Sequence, residues 1–348
     1  GWRAAASGGI IRLPPSRPSV ASAPAVATPT FHRDRFEDAR ARIAGSVHRT
    51  PLLRSRTLSE RVGAPLYLKC ENLQKTGAFK VRGALHRLLR LSNEERDRGV
   101  VTISAGNHAQ AVAWSASAAG VPSVVVMPEH ASRTKVEASR GYGAEVILHG
   151  TAAEAFEKAF ALADERGLTF VHPFDDEEVV VGHGSCGLEI LEDLPDVATV
   201  VVPVGGGGLL SGIATAIDSV RQGVAVWGVE PEGAPGMTRS LEAGHAVHLD
   251  RVDTLADGLG APMAGELNHA LVAEHGAGVV LVTDAEIVEA MALLLERTKL
   301  LAEPGGAAGL AALLQARIPV DPEGPVVVVL SGGNVDLPLL GRLVAGGA

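Results

Sequence analysis

Short apolar runs alternate with longer stretches rich in Ala, Leu and Glu from about residue 36 onward. The runs lack the polar–apolar alternation of strands that have one face in water, so they predict strands buried on both faces. The longer stretches have the length of crossover helices, and the clearest cover residues 109–119 and 285–301. This order predicts an α/β protein with mostly parallel sheets. The predicted strands are residues 66–70, 100–104, 123–127, 145–149, 199–204, 224–229, 279–283 and 326–330.

Four of the predicted strands end in polar or glycine-rich turns. The carboxyl ends of strands in open parallel sheets form the crevice in which such folds bind their ligands. We therefore expect several of these turns to face one site for a polar, phosphorylated ligand. The four turns are residues 71–80, 105–108, 205–208 and 331–334.

The glycine turn 205–208 lies between a predicted strand and an apolar helix that starts near Leu209. Bare backbone approaches an anion closely, and a helix N-terminus favours negative charge. A structural turn rarely needs four consecutive glycines, so the pattern favours phosphate binding. A dinucleotide fingerprint would need glycine at Leu210, and the Gly-Lys-Ser/Thr end of a nucleoside-triphosphate loop is missing. The phosphate is therefore expected to belong to a smaller cofactor.

Three polar residues of the other turns are candidates for chemistry. Lys80 has apolar neighbours, and such an amine loses its charge readily and can act as a nucleophile. The positive charges of Lys75 and Arg82 would favour the uncharged form of the Lys80 amine further if they lie close in space. Asn107 suits the capture of a carboxylate or a phenolic oxygen, although a helix N-cap explains it equally well. The Ser331 hydroxyl can meet a ligand nitrogen, although a structural turn also explains this residue.

Composition narrows the class of partner. Hydrophobic residues make up 46% of the 348 residues and charged residues 20%, a balance typical of a globular protein. A net charge of −9 and 3% aromatic residues argue against nucleic acid or an anionic membrane as a partner. Cys70 and Cys186 form no close pair, so a reducing compartment fits. The uncharged stretch 197–217 is long enough to span a bilayer, but its proline and glycines favour a strand, a turn and a helix.

The four turns together resemble the serine/threonine dehydratases, a pyridoxal-phosphate family of fold type II that includes threonine ammonia-lyases and serine racemases. Residues 76–84, which read Thr-Gly-Ala-Phe-Lys-Val-Arg-Gly-Ala, are similar to the family's cofactor-lysine segment. Residues 104–110 are similar to its substrate loop and 203–209 to its phosphate loop. Residues 331–334 are similar to its pyridine-nitrogen motif, and 303–304 to a position beside the cofactor ring.

The resemblance implies an architecture. We expect two open, mostly parallel twisted sheets with helices on both faces, as in the β subunit of tryptophan synthase, and the cofactor in the crevice between two domains. The large cofactor-binding domain is expected to comprise residues 31–98 and 175–348, and the small substrate-loop domain residues 99–174. Residues 1–30 lack acidic residues and are predicted to be a disordered extension. The family is often dimeric, which implies a homodimer, and a cytoplasmic location is expected from the reducing compartment that fits the two cysteines.

The resemblance also assigns roles to residues. Lys80 is expected to form the Schiff base with pyridoxal 5′-phosphate and later to remove the substrate's Cα proton. Asn107 is expected to hydrogen-bond the phenolic oxygen of the cofactor, Ser331 to meet its pyridine nitrogen, and Phe79 to pack on its ring. The remaining cofactor contacts are assigned to Gly205, Gly206, Gly207, Gly208, Leu209 and Glu303. The substrate carboxylate is assigned to Ser104, Ala105, Gly106, Asn107 and His108.

The implied reaction is elimination of water from L-threonine or L-serine, followed by hydrolysis of the resulting enamine to 2-oxobutanoate or pyruvate and ammonia. Serine racemases of the family carry a serine, the base on the opposite face, where Ala105 stands. Alanine cannot exchange a proton, so little racemisation is expected. The alternatives are a dehydratase for another β-hydroxy amino acid such as hydroxyaspartate, a serine racemase, or a non-catalytic binding protein on the same fold.

The chain departs from the family pattern in three places, the first of which is Ala78, where the family commonly has serine before the phenylalanine. His183 and Ser185 stand where the family often has Gln and Thr, which can alter the β-substituent that fits. Glu230 and Ala234 match two positions of the family's divalent-metal site, but Gly236 stands where the family has a second acidic residue. Two of the three positions of the family's divalent-metal site therefore match in this chain.

Overall fold

A computed structural model of the chain describes residues 11–12 and 29–344. The predicted disordered extension, residues 1–30, lies almost wholly outside the described residues. Two described residues of that extension form a strand. The strands are β1 (Ile11–Arg12), β2 (Leu52–Arg54), β3 (Leu66–Lys69), β4 (Val100–Ile103), β5 (Ser123–Met127), β6 (Glu145–Leu148), β7 (Thr169–Phe170), β8 (Thr199–Pro203), β9 (Ala225–Pro231), β10 (Gly278–Val282) and β11 (Val326–Val329).

Helices connect most of these strands, as the alternating pattern of the sequence predicts. Short 3-10 helices at Glu71–Leu73, Lys75–Gly77 and Asp257–Leu259 lie in loops. The α-helices are α1 (Arg33–Ile43), α2 (Arg56–Val62), α3 (Lys80–Leu89), α4 (Asn93–Arg98), α5 (Asn107–Ala119), α6 (Arg133–Gly141), α7 (Ala152–Arg166), α8 (Glu177–Asp193), α9 (Gly208–Val220), α10 (Gly236–Ala243), α11 (Glu266–His275), α12 (Asp284–Thr298), α13 (Pro304–Leu314) and α14 (Leu337–Val344).

The strands form two sheets. The larger sheet has the order β1-β10-β9-β8-β11-β3-β2; its inner strands are parallel, and the outermost strands β1 and β2 are antiparallel to their neighbours. The smaller sheet has the order β6-β5-β4-β7 and is parallel throughout. The fold class expected from the sequence is confirmed. All eight predicted strands form, with ends that differ by at most two residues.

Strand β11 shows why the predicted strands are apolar at every position. All four of its valines are fully buried. Because side chains alternate across a strand, Val326 and Val328 pack with Leu310 in one core layer. Val327 and Val329 pack in the other layer, beside residues of α8 and α9. The strand therefore carries helices on both faces.

The uncharged stretch 197–217 is not a single helix. It forms β8, the glycine turn and most of α9, as the sequence predicts. None of the described helices is long and apolar enough to cross a membrane.

Candidate active site

One cavity of about 530 Å³ joins the turns that follow the strands. Its wall combines residues that follow β4 of the smaller sheet with residues that follow β8 and β11 of the larger one. Every residue assigned above to cofactor or substrate borders it: Phe79, Lys80, Ser104, Ala105, Gly106, Asn107, His108, Gly205, Gly206, Gly207, Gly208, Leu209, Glu303 and Ser331. The fold thus brings together segments that are far apart in the sequence.

Lys80 is the first residue of α3 and borders the cavity. Its Nζ donates a hydrogen bond to the Pro173 carbonyl at 2.7 Å and lies 5.1 Å from the centre of the Phe79 ring. Burial of the amine lowers the pKa of Lys80 to about 8, because the charged form loses its hydration. At neutral pH a larger fraction of this amine is therefore unprotonated than in an exposed lysine.

The charges of Lys75 and Arg82 do not contribute to this shift, since burial alone lowers the pKa of Lys80. Arg82 is instead fully buried in an ion-pair network of two cations and two carboxylates. Its Nε donates to Glu71 and its Nη1 to Glu189, each at 2.8 Å. The Lys69 Nζ completes the network with a 2.7 Å contact to Glu189. The network pairs the Arg82 charge with two carboxylates and anchors α3, which begins at Lys80, to α8; Lys69 also lies 4.0 Å from Asp193.

The glycine turn exposes bare backbone to the cavity. A Cβ on Gly206 would come within 2.3 Å of the Phe174 ring, so this ring covers the turn so closely that only glycine fits. Helix α9 begins at Gly208, and the first N–H groups of a helix have no partner within it. The turn and these N–H groups border one cavity, which is the arrangement that binds phosphate.

The Asn107 side chain does not cap a helix. The N-cap of α5 is Gly106, and Asn107 is the first helical residue. Its Nδ2 donates to Glu303 at 2.6 Å, and its Oδ1 accepts from Asn334 at 2.9 Å. Burial, assisted by the charge of Asp257, raises the pKa of Glu303 to about 7. The N-cap interpretation of Asn107 is therefore wrong, because a tertiary network occupies its amide.

The loop from Ser104 to His108 has one internal hydrogen bond and one contact to the segment after β7. The Gly106 N–H donates to the Ser104 hydroxyl at 3.0 Å, so it must exchange this partner to bind a carboxylate. His108 is buried; its Nε2 lies 3.3 Å from the Val171 carbonyl, and its Nδ1 has no partner. Burial holds the pKa of His108 well below its usual range, so the ring is neutral at physiological pH.

Two polar contacts at the cavity rim were not indicated by the sequence. Lys135 on α6 pairs with Asp257 at 2.6 Å, and Ser132 donates to Asp336 at 3.3 Å. Both contacts connect the segment after β5 of the smaller sheet with loops of the larger one. No motif marks these residues, and the two members of each pair are far apart in the sequence.

The residues matched to the metal site serve a different purpose. Both Glu230 oxygens accept hydrogen bonds from the backbone N–H groups of Met237 and Thr238, at 2.6 and 2.9 Å. Glu230 therefore satisfies the start of α10. Ala234 is buried, and no group of three or more His, Cys, Asp or Glu side chains within residues 29–344 is arranged to hold a metal. The cation expected at Glu230 and Ala234 has no further support.

Comparison with known proteins agrees with this site. A family described as "Pyridoxal-phosphate dependent enzyme" matches residues 43–332. The chain belongs to this family. The match covers the cofactor-lysine segment, the substrate loop, the glycine turn and the beginning of the 331–334 turn.

Relatives within this pyridoxal-phosphate family are similar over most of the chain. An L-threonine ammonia-lyase of Thermotoga maritima is 47% identical over 89% of this chain and 77% of its own. An L-threo-3-hydroxyaspartate ammonia-lyase of Saccharomyces cerevisiae is 42% identical over 89% of this chain and 95% of its own. The solved structure of maize serine racemase has a TM-score of 0.86 and 37% identity, and the match covers 90% of this chain and 97% of that one.

The cavity fits the cofactor that the family binds. Pyridoxal phosphate needs an amine, a phosphate site and a partner for its pyridine nitrogen. The enclosed Lys80 amine, the glycine turn at the start of α9 and the Ser331 hydroxyl supply these groups around one cavity. Its volume of about 530 Å³ is in the range of small-molecule sites.

Proposed function

We propose that this protein is a pyridoxal-phosphate-dependent ammonia-lyase that converts L-threonine or L-serine into 2-oxobutanoate or pyruvate and ammonia. The observation that carries the proposal is the convergence of the lysine, substrate, glycine and serine turns on one cavity. The name of the relative from Thermotoga maritima, an L-threonine ammonia-lyase at 47% identity, supports threonine as a substrate.

Lys80 is the base in this proposal. The bound cofactor supplies an electron sink that makes the Cα proton of the substrate acidic. The Lys80 amine removes that proton, and a pKa near 8 supports this role because a useful fraction is unprotonated at neutral pH. To act, Nζ must leave the Pro173 carbonyl, to which it donates in this structure.

The other cavity residues orient the reactants. The N–H groups at the start of α9 would hold the phosphate, and the Ser331 hydroxyl would meet the pyridine nitrogen. A neutral hydroxyl would not force that nitrogen to stay protonated, so loss of the β-hydroxyl, which takes up a proton to leave as water, would compete better against reprotonation at Cα. The loop from Ser104 to His108 binds the substrate carboxylate after Gly106 releases its hydrogen bond to Ser104.

The cavity rim favours an uncharged β-substituent. Hydroxyaspartate, the substrate in the name of the yeast relative, carries a second carboxylate. The rim already holds the carboxylates of Asp257 and Asp336, and the cation Lys135 is paired with Asp257. A second substrate carboxylate would have to displace that pair. These contacts support threonine or serine over hydroxyaspartate.

A substrate panel tests this function. We expect the cofactor-loaded protein to release oxo acid from L-threonine and L-serine, with kcat/KM at least about tenfold higher than for L-threo-3-hydroxyaspartate. Oxo acids are measured as hydrazones. A preference for hydroxyaspartate would favour the second substrate, and no oxo acid from any of the three would overturn the proposal.

Racemisation is a separate prediction that depends on Ala105. With L-serine, we expect pyruvate to form at least about a hundredfold faster than D-serine, since alanine offers no proton to the opposite face of Cα. The Ala105→Ser variant adds a hydroxyl there and should raise the share of D-serine. Chiral chromatography with a pyruvate assay measures both products. Equal rates of D-serine and pyruvate formation in the unaltered protein would identify a racemase.

We further propose a Schiff base between Lys80 and the cofactor, a cytoplasmic location and a homodimer. Both cysteines are buried free thiols, which is consistent with a reducing compartment. Leu53 on the edge strand β2 is 42% exposed. An exposed apolar side chain at a sheet edge supports a partner surface there. The two domains with the boundaries given above, residues 31–98 with 175–348 and 99–174, are part of the same proposal.

A further inference from the structure

Asn334, the last residue of the 331–334 turn, connects three segments of the cavity wall. Its Nδ2 donates to the Thr76 carbonyl at 2.7 Å and to the Asn107 Oδ1 at 2.9 Å. Its backbone also lowers the pKa of Glu303, against the effect of burial. Asn334 itself borders the cavity. No role has been assigned to it so far.

The Thr76 carbonyl determines which way the two amides face. A backbone carbonyl can only accept a hydrogen bond, so Asn334 must turn its NH₂ group toward Thr76. The same NH₂ group reaches Asn107 and can only donate, so Asn107 must present its oxygen there. The Asn107 NH₂ group then points the other way, where one hydrogen reaches Glu303 at 2.6 Å. One N–H of Asn107 is left to donate within the cavity.

We infer that Asn334 is a positioning residue that fixes the Asn107 amide so that an N–H, and not the oxygen, faces the bound cofactor. The group that receives this N–H is an anionic oxygen on an aromatic ring, the phenolic oxygen of pyridoxal phosphate. The inference rests on the proposed function only in assuming that the cavity binds this cofactor.

The surroundings of Asn334 keep its side chain in place. Gly77 lies against it, and a Cβ at that position would come within 2.3 Å of the Asn334 Oδ1. The Gly333 N–H donates to the Gly77 carbonyl at 2.9 Å, and the Phe79 N–H donates to the Ser331 carbonyl at 3.0 Å. The 331–334 turn is thus bonded through its backbone to the segment that carries Lys80. The amide of Asn334 has little freedom to flip, so the direction of the hydrogen bonds is preserved.

Substitution of Asn334 tests the direction of these bonds. Asn334→Asp keeps the shape but replaces the donor with an acceptor, so Asn107 must turn its NH₂ group toward Asp and its oxygen toward the cofactor. We expect the Kd for pyridoxal phosphate, from absorbance titration of the apoprotein, to rise about tenfold or more. Asn334→Ala removes the donor without imposing the flip and should raise Kd less. An Asp carboxylate would also repel the Thr76 carbonyl, so the comparison in the Asn107→Ala background decides whether the effect acts through Asn107.

The Asn107→Ala background separates positioning from other effects. If Asn334 acts through Asn107, Asn334→Asp should change Kd by less than about twofold once the Asn107 amide is gone. The pH dependence of the cofactor's absorption band should likewise shift with Asn334→Asp in the unaltered background only. Circular dichroism of each apoprotein checks folding. If Asn334→Asp does not fold, the same comparison is made with Asn334→Ala, whose effect on Kd should also fall below about twofold in the Asn107→Ala background.

Three results would overturn the inference. They are unchanged cofactor binding in both Asn334 variants, a smaller effect of Asp than of Ala, and an equal effect of Asp with and without Asn107. All these measurements need cofactor but no amino acid. A protein that binds cofactor and turns over no amino acid would therefore contradict the proposed function and leave this test intact.

Discussion

Lys80→Ala should abolish both the visible absorption band of the bound cofactor and the release of oxo acid. The amine would supply the covalent link and the base, and general-base catalysis alone contributes about 10²- to 10⁴-fold to a rate. We expect kcat with L-threonine to fall by about 10³-fold or more. Absorbance spectra of cofactor-supplemented protein and a hydrazone assay measure the two effects.

The matched control is Lys158→Ala on α7, a lysine that does not border the cavity. It should retain the band and the activity of the unaltered protein. A Lys80→Ala protein that keeps both would show that another amine binds the cofactor. The absence of any band in the unaltered, cofactor-supplemented protein would instead favour a non-catalytic binding protein on the same fold.

Arg82→Ala should cause a large loss of stability. It would leave the buried carboxylates of Glu71 and Glu189 with Lys69 as the only cation of the network. Removal of one partner from a buried ion pair costs about 3–5 kcal/mol, because the remaining charge is neither hydrated nor paired. We expect the free energy of unfolding, from urea denaturation of the apoprotein, to fall by about this amount.

Arg56→Ala is the control for an exposed ion pair. The Arg56 side chain is 92% exposed and lies 3.5 Å from Glu60 on the same helix. Its loss should change the free energy of unfolding by less than about 1 kcal/mol. If Arg82→Ala is no more destabilising than Arg56→Ala, the buried network does not anchor α3 as described.

The parts of the fold that the sequence predicts well are those set by local pattern. Strands such as β8 and β11 are continuous apolar runs because both of their faces are buried. The turns after them are visible because glycine and polar residues interrupt the pattern. The strands β1, β2 and β7 were missed because they have only two or three residues each. So few residues show no periodicity, and their pairing depends on the neighbouring strand.

The parts of the site that the sequence does not predict depend on residues that meet only in the folded chain. The sequence left open whether Arg82 lies close enough to disfavour the Lys80 ammonium, and in the fold Glu189, 107 residues away, pairs with Arg82. Asn107 was equally consistent with an N-cap, and the choice was decided by Asn334, 227 residues away. Local patterns identify candidate groups, while their charge state and hydrogen-bond partners come from tertiary structure.

The network around Arg82 has a consequence for how this protein can change. The Arg82 charge is paired with Glu71 and Glu189, and the pKa of Lys80, two residues away on α3, is lowered by burial and not by this cation. In the first turn of α3, Arg82 thus contributes to stability while Lys80 is the reactive group. Substitutions in the cavity wall can change the pKa of Lys80 or the substrate preference, while the Arg82 ion pairs still hold α3 in place. Because the cavity wall and the buried ion pairs involve different residues, substrate preference can change without loss of the helix that carries Lys80.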